Sequence, residues 1–124
     1  ERILKKTRES RYKKSLDLIQ NSPLIVLFSL DYSGMDSYKE KNKQQNENMM
    51  AEQSLGAALQ NLMLAFAAQG IGSVWRCAPL FCPEIARDAM DLPKKWIPRA
   101  MVLAGFPKTH PTEKKSIKPR VLVR

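Results

Sequence analysis

The chain has 124 residues, 44% of them apolar, and a formal net charge of +9. A domain of this length buries roughly two-thirds of the surface of its extended chain, so a real core is possible and a disordered segment is excluded. No apolar run reaches the ~18 residues of a membrane span, and the charged start lacks a signal-peptide pattern.

The charge is unevenly spread. Residues 1–14 carry seven Lys/Arg and two Glu, residues 106–124 carry six Lys/Arg and one Glu, and the middle, 15–105, is close to neutral at −1. Basic ends without a nucleic-acid motif read as solvated surface, or as an attraction for a phosphorylated ligand. Neither nucleic acid nor membrane is therefore expected as a partner. Cys77 and Cys82 are too few for a disulfide scaffold and read as reduced thiols of a cytoplasmic protein. His110 is the only histidine, so a two-Cys/two-His zinc site cannot form within one chain, and no metal is expected.

In chain order, residues 1–20 predict a basic helix with a patchy apolar face of Ile3, Leu4, Leu16 and Ile19. Asn21-Ser22-Pro23 stops it, because the residue before proline avoids the helical region. Leu24–Leu30 is a short apolar run bounded by turn signals and predicts a strand covered on both faces. Asp31–Asn48 is polar and predicts either an excursion or the ragged start of the next helix. Met49–Gln69 is the strongest helix, with Leu55, Leu59, Leu62 and Phe66 in one stripe. Its last turns add Ala57, Ala58, Met63, Leu64, Ala65, Ala67 and Ala68, which predicts burial on every side and favours contact with a second copy.

Gly70-Ile71-Gly72-Ser73 follows a helix and precedes the strand Val74-Trp75-Arg76. A phosphate loop has the opposite order, so a helix cap with glycine at positive φ is expected. Pro79 ends the strand. Cys82 at the N-cap, Pro83 at the first helical position and Glu84 predict a short helix over 83–91, with Ile85, Ala89 and Leu92 inward. Leu92-Pro93 closes it. Pro98–Gly105 predicts a second apolar strand, and from Pro107 the chain reads as an extended tail in which Val121–Val123 adds an edge strand. There is no repeat and no boundary, so 1–124 is expected to be a single domain. The helix–strand alternation lacks the strand–glycine–helix signature of a dinucleotide fold.

Catalytic constellations are weak. His110 lies in the proline-rich tail, a poor place to hold an imidazole for a Ser–His–Asp triad. Asp88 and Asp91 read as a solvated helix face, not an acid/base pair. Cys82 reads as a small capping residue. No catalytic residue is assigned.

Ala57–Ala65, Gly70–Trp75, Phe81–Arg87, Leu92-Pro93 and Ala100–Pro107, in this order, resemble the nitroreductase family. The similarity spans about residues 10–120. Ser22–Leu27 and Phe81–Glu84 are most similar to the branch fused to the glutamate ligase of deazaflavin-coenzyme biosynthesis. The resemblance implies an α+β fold, a central and mostly antiparallel sheet flanked by helices, with a long buried helix at a homodimer interface through residues 49–69. It implies an oxidoreductase that passes hydride from NAD(P)H through FMN to an organic acceptor: a nitroaromatic, a quinone or a deazaflavin precursor. By position, Trp75, Arg76, Cys77 and Ala78 would run along the flavin ring, mainly through backbone groups, and Lys118 and Arg120 would hold its phosphate. The family's Arg-x-Ser-x-Arg segment does not occur, since Arg8-Glu9-Ser10-Arg11 has a different spacing. The domain is thus expected to lack its N-terminal flavin-binding segment. The alternative is a flavin-free remnant acting in dimerisation or regulation.

Overall fold

The computed structural model of the chain describes residues 13–109. They form an α+β layer around a three-stranded antiparallel sheet of order β1-β3-β2, with β1 Leu24–Leu30, β2 Gly72–Arg76 and β3 Ile97–Gly105. The helices are α1 (13–21), α2 Lys41–Ala68, α3 Ala78–Phe81 and α4 Pro83–Ala89, with a 3-10 turn at Tyr32–Gly34.

β3 is central because it pairs with β1 on one side and with β2 on the other, and helices cover both of its faces. Its Pro98, Ala100, Val102, Leu103 and Ala104 are buried. Pairing sets the faces. Phe28 lies opposite Ala100, and Trp75 opposite Val102. This face meets α2, where Leu59 is fully buried against Ala100 and Val102 and is ringed by Leu55, Leu62, Met63 and Phe66. Side chains alternate across a strand, which sends Met101 and Leu103 to the other face, where α3 and α4 pack on β3.

The expectation that β1 is covered on both faces is corrected. None of its residues is buried, and Leu24 and Ile25 are exposed. The reason is its place at the edge: among the described residues it pairs only with β3.

α2 runs 28 residues, about 42 Å at 1.5 Å per residue. The polar stretch before Met49 is thus partly the start of the helix, as one of the two expectations had it. Tyr38 N–H donates to Gln44 Oε1 at 2.9 Å and Lys43 pairs with Glu40 at 2.7 Å, which ties down the first turn. Among the described residues, burial of α2 on every side is not achieved. Only Leu59 is buried, while Ala57, Ala58, Leu64, Ala65 and Ala68 form an uncovered stripe.

The cap after α2 is as expected. Gly70 has φ +72°, Ile71 N–H donates to Phe66 O at 2.9 Å and Gly70 N–H to Ala67 O at 3.1 Å. Two bonds of this kind satisfy the last carbonyls of a helix. α4 ends the same way with Asp91 at φ 49°, where Leu92 N–H donates to Arg87 O. Cys82 is the N-cap of α4 and Pro83 its first residue, but the thiol donates to Ala78 O instead of capping. Ile85 and Ala89, expected inward, are exposed. The physical reason is α3, a one-turn helix that the sequence reading took for a strand break. With Pro79 buried, it turns Cys82, Ala86 and Arg87 toward the body instead.

Gly105 allows the sheet to close against the entry of β1. A Cβ there would lie 2.8 Å from Pro23 Cγ and Cδ. The proline ring is rigid, so Gly105→Ala is expected to cost about 1–3 kcal/mol by overpacking. Urea unfolding would show it as a lower midpoint at unchanged slope, and a wild-type midpoint would refute the close approach.

Candidate functional site

The exit of β2 gathers four of the expected site residues. Trp75 crosses α2 at Gly56, where an added Cβ would lie 3.7 Å from Trp75 Cη2, an ordinary contact. The indole is 38% exposed. Arg76, opposite Met101, falls on the other face. Cys77 is the N-cap of α3, exposed and with a free thiol. Ala78 is exposed, while the adjacent Pro79 is buried and pins the turn. Trp75–Ala78 therefore lie together along an open sheet edge. Lys118 and Arg120 lie outside the described residues.

Arg76 is half-buried, and its Nε is enclosed with no hydrogen-bond acceptor among the described residues. The other two described arginines have carboxylate neighbours: Arg87 lies 3.7 Å from Asp88 and Arg99 2.9 Å from Glu52. No described carboxylate pairs with Arg76. A charge withdrawn from water without a partner is costly, so an arginine so placed fits an anionic or carbonyl-bearing ligand.

A second polar cluster escaped the sequence reading. β1 and β3 change register between Phe28 and Ser29, so that Phe28 faces Ala100 and Ser29 faces Pro98. Arg99 is the extra residue of this bulge. A bulge re-aims a side chain, and here it brings Arg99 to Glu52 on α2. Arg99 Nη2 donates to Tyr32 Oη at 3.2 Å, and Tyr32 Oη donates to Glu52 Oε1 at 3.1 Å. Arg99 Nε is close enough to Glu52 to pair by charge but is not aligned for a hydrogen bond. On the same turn Asp31 accepts from Ser33 N–H at 2.9 Å and pairs with Lys95 at 3.1 Å. These contacts join the 3-10 turn to α2, to β3 and to the segment before it. The one available sign in the sequence was a Tyr and an Asp in a polar stretch, which does not name partners 20 and 67 residues away.

Two clefts flank the sheet. One of about 460 Å³ lies at the end of β1 between Leu27, Ser29, Asp31, Leu92 and Trp96. The other, about 300 Å³, lies at the opposite end between Ser22, Pro23, Gly72, Gly105 and Phe106. Trp75–Ala78 line neither of them. Among the described residues they lie at the edge strand of the sheet and the turn that follows it.

A long helix across one face of an antiparallel sheet, two short helices on the other and an aromatic–arginine pair at an open strand exit define the class: an α+β protein with its candidate site on a sheet edge. The model of the nitroreductase family matches residues 1–106, and the chain belongs to that family. Its chemistry is thus that of an oxidoreductase family, with flavin-dependent electron transfer as the general activity.

Asp31 gives a pH signature. Hydrogen bonds from Ser33, then the Lys95 ammonium, hold its carboxyl down from 3.8 to about 2. A carboxyl whose folded pKa is depressed stabilises the fold fully above its unfolded value, and that contribution is lost as pH falls through the folded one. Asp31→Asn is expected to melt below the wild type at neutral pH. The gap should close as pH drops from 3.8 towards about 2. Thermal melts followed by circular dichroism across that range would show it, and a gap that does not depend on pH would refute it.

Proposed function

We propose that the protein is an FMN-dependent oxidoreductase that passes hydride from NAD(P)H to an organic acceptor, a nitroaromatic, a quinone or a deazaflavin precursor. The observation that carries this reading is the family match over residues 1–106, together with Arg76 at the exit of β2, whose Nε has no acceptor among the described residues. What supports a flavin here is the Arg76 Nε, enclosed and without an acceptor among the described residues, and, on the other face of the strand, an exposed indole followed by exposed Cys77 and Ala78. When bound, the flavin supplies the hydride chemistry. The chain's residues bind and orient it. Trp75–Ala78 lie along the ring, and Lys118 and Arg120 hold the phosphate as charge-assisted donors. Within the family we place the chain nearest the flavin-binding domain fused to the deazaflavin glutamate ligase.

The first test is the visible spectrum of the purified protein, with its intact mass. Flavin bands in an equimolar amount, and loss of flavin retention in Lys118→Ala with Arg120→Ala at unchanged circular dichroism, are expected. A colourless protein that ignores added FMN would instead favour a flavin-free domain serving dimerisation or regulation.

We also infer a homodimer through residues 49–69. Ala57, Ala58, Leu64, Ala65 and Ala68 make a stripe of mostly small side chains that the described residues leave uncovered, with Leu64 58% exposed. Small residues permit close helix approach, and a contiguous apolar stripe marks an interface. Leu64→Glu is expected to give a folded monomer by light scattering at micromolar concentration. A wild type that is already monomeric there would remove the interface.

A further inference from the structure

We infer that the cleft at the end of β1 is a binding site for a flat aromatic cation of the amidinium type, held by the Asp31 carboxylate and stacked on the Trp96 indole. The inference lies outside the flavin reading and does not depend on it, since Trp75–Ala78 do not line this cleft. The cleft measures about 460 Å³ and is bounded by Leu27, Phe28, Ser29, Asp31, Leu92 and Trp96. Apolar walls with a few polar groups, at this size, are the make-up of a small-molecule site. The +9 of the whole chain does not argue against a cation here, because residues 15–105 sum to −1.

The walls are fixed by the backbone. Leu27, Phe28 and Ser29 belong to a strand paired with β3. Leu92 N–H donates to Arg87 O at 3.0 Å and Trp96 N–H to Pro93 O at 2.9 Å, so the turn after α4 sets the place of both side chains. Trp96 is 41% exposed, which leaves its indole open to a stacked ring and to a cation. At the polar end Asp31 Oδ1 accepts from Ser33 N–H at 2.9 Å, and Oδ2 pairs with Lys95 at 3.1 Å. The hydrogen bonds from Ser33 keep this carboxyl ionised at neutral pH. The Lys95 side chain is 64% exposed, and an exposed ion pair of that kind contributes little. A ligand that brings its own cation and also covers the apolar walls displaces the lysine. Ser29 Oγ is enclosed and has no hydrogen-bond partner among the described residues. An amidinium has N–H groups on two nitrogens, enough to meet the carboxylate as a charge-assisted donor and to offer a further donor to Ser29.

The test titrates benzamidine, its neutral isostere benzamide and the anion benzoate into the full chain by calorimetry, with tryptophan emission recorded alongside. Benzamidine is expected to bind about tenfold more tightly than benzamide, the effect of one charge-assisted pair, and benzoate not at all. Asp31→Asn should weaken benzamidine about tenfold and leave benzamide unchanged. Lys95→Met removes the competing cation and should tighten benzamidine. Quenching of emission should survive in Trp75→Phe and vanish in Trp96→Phe. Absence of benzamidine binding would overturn the proposal, as would equal affinities for the three probes or quenching that persists in Trp96→Phe. The titration is repeated with FMN present. Unchanged benzamidine affinity is expected, and competition between the two would move the probe to the flavin site and overturn the proposal. If circular dichroism shows that Asp31→Asn is unfolded, Lys95→Met decides, and benzamidine affinity that does not rise there refutes the role of the carboxylate.

Discussion

The double pairing of β3 is the constraint on which the rest of this structure depends. Ile97, Pro98 and Ala100–Ala104 pair with β1 on one side, and Met101–Gly105 with β2 on the other. That leaves both faces free to be covered, α2 on one and α3 with α4 on the other. Small residues make this possible. Ala100 and Ala104 are buried without filling the space that Leu59 and the flanking helices need, and Gly105 admits the Pro23 ring. Once β3 is placed, register decides the position of each polar side chain that matters. Arg76 falls opposite Met101, and the bulge at Phe28 and Ser29 delivers Arg99 to α2.

The two arginines show how the same charge is handled in two ways. Arg99 enters a layer where a carboxylate and a phenol already converge, and it ties the 3-10 turn to α2. Arg76 has no such company among the described residues. Half-buried arginines normally find a partner, because the cost of an unpaired charge in a poorly solvated place is several kcal/mol of lost hydration.

The packing is also lopsided in a way that bears on function. The fully covered core is small, while Leu64, Phe81, Ile85 and Phe106 stand more than half exposed. Scattered apolar exposure is ordinary, but a contiguous stripe along a helix is not. On α2 the inward stripe of Leu55, Leu59, Leu62 and Phe66 has a counterpart of Ala57, Ala58, Leu64 and Ala65 on the outside. The helix that builds the core of one layer is thus also the one with a second face to offer.

The elements and their order were legible in the sequence, because they depend on local chemistry. Apolar runs of strand length, a four-three-four spacing of leucines, glycine after a helix and proline at a first turn act within a few residues. So β2, β3, the main body of α2, the cap at Gly70 and the start of α4 were found, and collinear motifs were enough to point to the family. Local pattern did not show which strand lies in the middle. β1 and β3 are both short apolar runs, and only the pairing of distant segments put β3 at the centre and β1 at the edge. The inward residues of α4 were misassigned for the same kind of reason, since the turn of α3 set its rotation. The polar clusters were beyond reach altogether. A bulge is a mismatch between two strands about 70 residues apart, and an unpaired guanidinium is defined by what surrounds it in space. Sequence determined the strands, the longer helices and what family they belong to. Tertiary structure decided which charges meet a partner, because burial and pairing are properties of neighbours and not of the chain.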